Sequence, residues 1–126
     1  MRWIVDGMNV IGSRPDGWWK DRGRAMVALV DSLDRWAQIN EDPVTVVFER
    51  PPATPVTSSV IEVAYAPRAA ANSADDEIVR RVQADASPRE IRVVTSDKEL
   101  TNRVASLGAS VYTAASFRDL IDTRGR

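Results

Sequence analysis

Five carboxylates and one amide in this chain stand where chemistry is readily arranged. Trp3, Ile4 and Val5 form an apolar run that stops on Asp6, with Gly7 next and Asn9 three residues beyond the acid. Val44–Phe48 is a second such run and ends on Glu49, while Ser73-Ala74-Asp75-Asp76 opens an amphipathic stretch and Ile91–Thr95 leads into Ser96-Asp97. Carboxylates brought together repel one another and raise one another's pKa unless a cation sits among them. Hard divalent cations such as Mg²⁺ take oxygen ligands and keep several waters, so three or four acids plus an amide suit them. Water activated by such an ion is then an economical nucleophile for hydrolysis. Each acid also has a plainer use. Asp6 can cap the turn that follows it, and Asp75, Asp76 and Asp97 stand where helix dipoles favour negative charge by roughly 0.3–1 kcal/mol each.

Residues absent from the sequence narrow the chemistry. Among 126 residues there is no histidine and no cysteine, which removes Ser-His-Asp and Cys-His nucleophiles, imidazole as acid, base or ligand, thiolate zinc sites and disulfides. Hydrolysis must then use carboxylates, lysine or a metal held by oxygen. A formal net charge of −1 provides no global basic field for nucleic acid, though a local patch is compatible with it. Apolar content of 44% and charged content of 28% are ordinary for one soluble globular domain. No apolar stretch approaches the roughly 20 residues of a membrane span. The N-terminus enters the first strand with no signal-peptide pattern, so a cytoplasmic location is expected.

The acids need elements to carry them. Residues 3–5 and 44–48 are continuous apolar runs, as expected of strands buried on both faces of a parallel sheet. Residues 13–24 read as a loop with Pro15, Gly17, Trp18, Trp19 and Gly23, followed by a helix from about Asp21 to Ile39 with Met26, Leu29, Val30, Leu33, Trp36 and Ala37 on one face. Pro51, Pro52 and Pro55 bias the segment after Glu49 to an extended path. It holds no helix, so the third strand, 60–66, is antiparallel or is reached by a stretched loop; the parallel option is preferred. Residues 67–72 read as a small-residue loop. A helix follows from Ser73 with Ile78, Val79 and Val82 inward, then a strand at 91–95, a helix opened by Asp97 and closed at Gly108, a short strand at 109–112 and a last helix at 115–122. Strands alternating with helices give an α/β three-layer sandwich around a mostly parallel sheet of about five strands, in one domain spanning 1–126.

In a right-handed parallel layout, helices begin at the carboxyl edge of the sheet. All five acids then share that edge, and a crevice opens among them if the first and fourth strands are neighbours. The Asp6-Gly7-Met8-Asn9 element, the Ser73-Ala74-Asp75-Asp76 helix start and the Thr95-Ser96-Asp97 strand end resemble, in order and spacing over nearly the whole chain, the NYN domain of the PIN-like nuclease superfamily, and its YacP-like bacterial branch in particular. The resemblance implies a PIN-like fold and a Mg²⁺- or Mn²⁺-dependent ribonuclease. Asp6, Asp75 and Asp97 would be the metal-binding acids, with Asn9 beside them; by their place at the same edge, Asp76 and Glu49 are optional additions, orienting a metal-bound water or supporting the ligands. It also implies RNA as partner, including ribosome-associated messages. Two positions depart from the pattern: Glu49 stands where an Asp is expected, and Met8 where an aromatic is usual.

RNA calls for cations toward phosphates and flat side chains toward bases. Arg14, Trp18, Trp19, Lys20 and Arg22 form a locally positive loop beginning at the same edge, and Arg50, Arg68 and Lys98 follow strand ends or adjoin Asp97. The function expected is a metal-dependent endoribonuclease hydrolysing phosphodiester bonds. The alternative is a catalytically inactive RNA- or ribosome-binding module on the same fold, motivated by Glu49, Met8 and the weak overall basicity. A haloacid-dehalogenase-like phosphatase fits less well, because its second Asp would fall at position 8, which is Met. No Walker or dinucleotide glycine motif is present.

Overall fold

A computed structural model describes residues 1–67 and 73–124. The elements in chain order are β1 (Arg2–Asp6), α1 (Gly7–Ile11), a 3-10 turn (Trp18–Lys20), α2 (Arg22–Asn40), β2 (Val44–Phe48), β3 (Glu62–Tyr65), α3 (Ser73–Ala84), a second 3-10 turn (Pro88–Glu90), β4 (Ile91–Val94), α4 (Lys98–Ser106), β5 (Ser110–Tyr112) and α5 (Ala114–Arg124). The sheet runs β3-β2-β1-β4-β5, and all four pairings are parallel. The first and fourth strands are therefore neighbours, and the third strand takes the parallel option.

Period-two alternation sorts the strand residues onto two cores. Trp3, Val5, Val46 and Phe48 join α1, α2 and α5 on one face. Ile4, Val47, Ala64 and Val93 join α3 and α4 on the other. Trp3 anchors the first core: its ring lies 5.1 Å from Trp36, 5.4 Å from Phe117 and 5.8 Å from Tyr112 between centroids, within the range where aromatic pairs add to simple burial.

The β2–β3 connection crosses without a helix. Val56 and Ile61 bury into the α2 side, and the Ser58 hydroxyl donates to Asp34 on α2 at 2.6 Å while accepting from the Val60 and Ile61 backbone N–H groups. Prolines in the same segment keep it extended, so packing replaces the helix.

One element adds to the expected order. α1 begins immediately after Asp6, where the sequence suggested only a strand exit. Gly7 makes this possible, because a Cβ there would lie 2.4 and 2.6 Å from two Phe48 ring atoms and 3.1 Å from Val46 Cγ2. Arg80 and Arg81 hold the buried Glu77 at 2.6 and 2.8 Å, and Arg81 also reaches Glu62 at 3.1 Å. The loop expected over 67–72, Arg68 included, lies outside the described residues apart from Pro67. Among the described residues no helix is long and apolar enough to cross a membrane.

Candidate active site

β1 ends at the centre of the carboxyl edge on Asp6, whose alternation with Ile4 turns it toward the α3–α4 side. Only 6% of its surface is exposed. α1 then lifts Met8 and Asn9 above the edge, and Asn9 Oδ1 accepts from the Ser96 backbone N–H at 2.8 Å, bracing α1 against the exit of β4. Ser96 in turn accepts from the Ala114 N–H through its hydroxyl at 2.9 Å. Asp97 is the N-cap of α4: its Oδ1 accepts from the Leu100 N–H at 2.8 Å. It thus fulfils the capping role and still faces the site, because a capping carboxylate leaves lone pairs free. Asp75 sits in the first turn of α3, and Glu49 follows β2 directly.

Asp6, Met8, Asn9, Glu49, Asp75 and Asp97 line one open cleft of about 230 Å³. Burial pushes the Asp6 carboxyl up to about 7; the Thr95 hydroxyl opposes this, the charges of Asp75 and Asp97 add to it, and the nearby Asn9 backbone N–H opposes it. Burial, then the charge of Asp97, pushes Asp75 up to about 6, with Arg103 opposing and Asp76 and Glu49 adding. Burial leads both shifts and neighbouring carboxylates add to them, as expected where acids share one site. The polar groups lining the cleft offer oxygen donors almost exclusively, the donor type suited to a hard divalent ion. Among the described residues no three acids are already closed around a common point. An ion that retains most of its water shell needs only one or two direct carboxylates, so this open arrangement fits a hydrated ion better than a cage.

The remaining expected residues separate into two groups. Asp76 does not line the cleft; it is exposed and pairs with Arg103 at 3.1 Å, because it lies one residue round the helix from Asp75. Arg14 is bound by Asp119 and Asp122 of α5 at 2.7 and 2.5 Å, and so is engaged in holding its loop. Trp18 is half-buried against the α2-side core, with Trp19 edge-on to it at 6.0 Å and 52% exposed. Lys20 and Trp18 border a different depression, with Asp16 and Arg118. Arg22 and Arg50 border a cavity that shares Met8 and Glu49 with the acid cleft, and Lys98 is exposed beside Asp97. Thr95 acquires a role the sequence reading did not assign: its buried hydroxyl donates to Asp6 Oδ2 at 3.0 Å and accepts from the Asp97 N–H at 3.1 Å. A hydroxyl residue closing a strand between two acid-bearing elements was the available signal. A larger cavity of about 430 Å³ lies at the amino edge of the sheet, but its arginines are satisfied, Arg2 by Asp85 and Arg81 by Glu62 and Glu77.

No curated protein matches the chain. Among solved structures, the crystal structure of Rae1 (YacP) from Bacillus subtilis superposes with a TM-score of 0.80 at 24% identity, over 98% of this chain and 74% of that one. The W164L mutant of the same Bacillus subtilis protein gives 0.78 at 24% identity, over 98% and 75%. These likenesses establish the fold. The sequence profile of the family described as the YacP-like NYN domain matches residues 3–126, and on that match the chain belongs to the YacP-like NYN family of PIN-like nuclease domains.

Proposed function

We propose that this protein is a divalent-metal-dependent endoribonuclease whose active site is the acid cleft at the carboxyl edge of β1 and β4. The observation that carries the proposal is the convergence of Asp6, Asp75 and Asp97, from three separate elements, on one open cleft where two of them hold protons to unusually high pH. In this reading Asp6, Asp75 and Asp97 hold Mg²⁺ or Mn²⁺, with Glu49 reaching in from β2. A bound divalent ion supplies charge neutralisation at the phosphodiester and activation of the attacking water. Asp6 and Asp75 would hold such an ion in their ionised forms, so its binding would compete with their protons. Asn9, held by the Ser96 N–H, sets the position of α1 at the rim of the cleft. Arg22, Arg50 and Lys98 flank the approach and neutralise phosphates, while Arg14 and Asp76 act structurally. The substrate is RNA, with ribosome-associated messages as one setting and the cytoplasm as the compartment.

The test is incubation of purified protein with single-stranded and structured RNA in Mg²⁺, in Mn²⁺ and in EDTA, beside the Asp6→Asn variant. Cleavage that needs the metal and is lost in Asp6→Asn supports the proposal. Metal-independent cleavage, or full activity in the variant, overturns the mechanism. RNA binding that survives EDTA and substitution of all three acids, with no cleavage under any metal, identifies a binding module instead.

A further inference from the structure

Next to the acid cleft lies a second cavity of about 310 Å³, whose walls include Met8, Met26, Pro52, Arg22, Arg50 and Glu49. Met8 and Glu49 belong to both cavities, so the two form adjoining compartments. Their linings differ in kind. The acid cleft is walled mainly by carboxylates and an amide, whereas here the sulfur-bearing and proline side chains make a largely apolar floor with two cations at the rim. Arg50 is exposed and makes no hydrogen bond or ion pair among the described residues, and Arg22 has only a cation–π contact, 5.4 Å from the Trp18 ring centre. An unpaired guanidinium beside an apolar recess matches a ligand that is flat and apolar at one end and anionic at the other. A volume near the lower end of small-molecule sites, roughly 300–1,000 Å³, fits a single nucleotide.

We infer that this cavity is a subsite for one unpaired ribonucleotide next to the scissile phosphodiester, its base lying against Met8, Met26 and Pro52 and its phosphate meeting Arg22 and Arg50. The inference rests on the acid cleft being the cleavage site. Its consequence is strand selectivity. A base still stacked and paired in an A-form duplex cannot enter the recess without leaving its neighbours, at a cost of a few kcal/mol. The cavity therefore favours single-stranded RNA, loops and frayed ends over duplex. Met8 is the partition between base and acids, so its flexible thioether gives the base an adaptable surface.

Gly23 lines the recess beside Pro52, so bulk can be added at its wall while the cleft acids and the two arginines keep their identities. A Cβ there would lie 3.4 Å from Pro52 Cβ and 3.8 Å from Asp21 Oδ1, ordinary contact distances, so Gly23→Leu adds bulk against the Pro52 wall that the recess shares with the next depression while favouring the helix. The experiment is fluorescence anisotropy with a short single-stranded oligoribonucleotide and with the same strand annealed to its complement, in Ca²⁺, for wild type, Gly23→Leu and Arg50→Ala. Circular dichroism of each variant verifies the fold. Wild type should prefer the single strand; Gly23→Leu should weaken single-strand binding by about fivefold or more, the scale of losing one stacked base, with duplex binding little changed. Arg50→Ala should weaken single-strand binding and reduce its salt dependence. Equal loss for both probes in Gly23→Leu, or no loss for either, overturns the subsite, as does an Arg50→Ala variant that binds like wild type. Because the readout is binding, it stands apart from the cleavage reading: absence of cleavage by wild type with Mn²⁺ would remove the nuclease and leave the anisotropy result to be judged by itself.

Discussion

The Thr95 hydroxyl and the Asp6 carboxylate are joined by a buried hydrogen bond, Oγ1 donating to Oδ2 at 3.0 Å. With Asp6 ionised that bond has one direction, because a carboxylate can only accept, and the same hydroxyl accepts from the Asp97 backbone N–H. Thr95 therefore favours the charged form of the acid that burial drives toward neutrality.

Removing that donor should be visible in the pH dependence of cleavage. Thr95→Val keeps the volume and loses the bond, so the Asp6 pKa rises further. The acid limb of the pH–rate profile should move alkaline by about one pH unit, with rate lost at neutral pH and recovered at higher pH. Thr95→Ser should restore the wild-type profile. An unmoved profile in Thr95→Val would show that Asp6 ionisation does not limit the reaction.

Metal-free stability should fall as pH rises from about 4 to about 7. Both Asp6 and Asp75 have folded pKa values raised above the ordinary carboxylate range, to about 7 and about 6. The native chain therefore binds more protons than the unfolded chain within that window, and the stability held at low pH is lost as pH climbs through the folded values. With no histidine in the sequence, few other groups titrate there. Thermal unfolding in EDTA should give a higher Tm at pH 5 than at pH 8. Asp6→Asn should flatten the slope and raise the pH 8 value, by an amount on the order of a few kcal/mol in stability. Mn²⁺ should raise Tm more at pH 8 than at pH 5, since protons compete with it.

Gly7→Ala should destabilise the fold by about 1–3 kcal/mol, the usual scale for overpacking. The added methyl meets a fully buried ring, Phe48, that has no room to swing away. Urea unfolding measures the loss, and Phe48→Leu in the same chain should recover part of it.

Arg14→Ala should leave RNA affinity near wild type and lower stability by no more than about 1 kcal/mol, as expected for partly exposed ion pairs. Its guanidinium is already held by Asp119 and Asp122. A large loss of RNA binding without loss of Tm would reassign it to the substrate surface.

Much of this architecture is readable from residue order. Apolar runs ending in acids, and acids opening amphipathic helices, reach one edge of any right-handed parallel sheet, which is why Asp6, Glu49, Asp75 and Asp97 were found together. Helical phase also distinguishes Asp75 from Asp76: four residues on from Asp75 is the buried Val79, and four on from Asp76 is the exposed Arg80. Other features were beyond local pattern. α1 is five residues long, too short for a period to show. The anchoring of Arg14 by α5 and the paired guanidiniums at Glu77 depend on folded geometry, because the same arginines in another packing would be free.

The central strand is the first one in the chain. β1 must wait for β4, pairing Arg2 with Ile91 and Val5 with Val94, before its second edge is covered. Parallel pairings between segments so far apart form slowly, since a long loop must close before any contact rewards it. During synthesis the N-terminal third can collapse onto α2 and β2, but Thr95 and Asp97 have yet to emerge. A chain stalled or clipped ahead of them carries Asp6 with no opposite wall. The topology thus makes the cleft a late product of synthesis, present only once the chain through Asp97 has folded against β1.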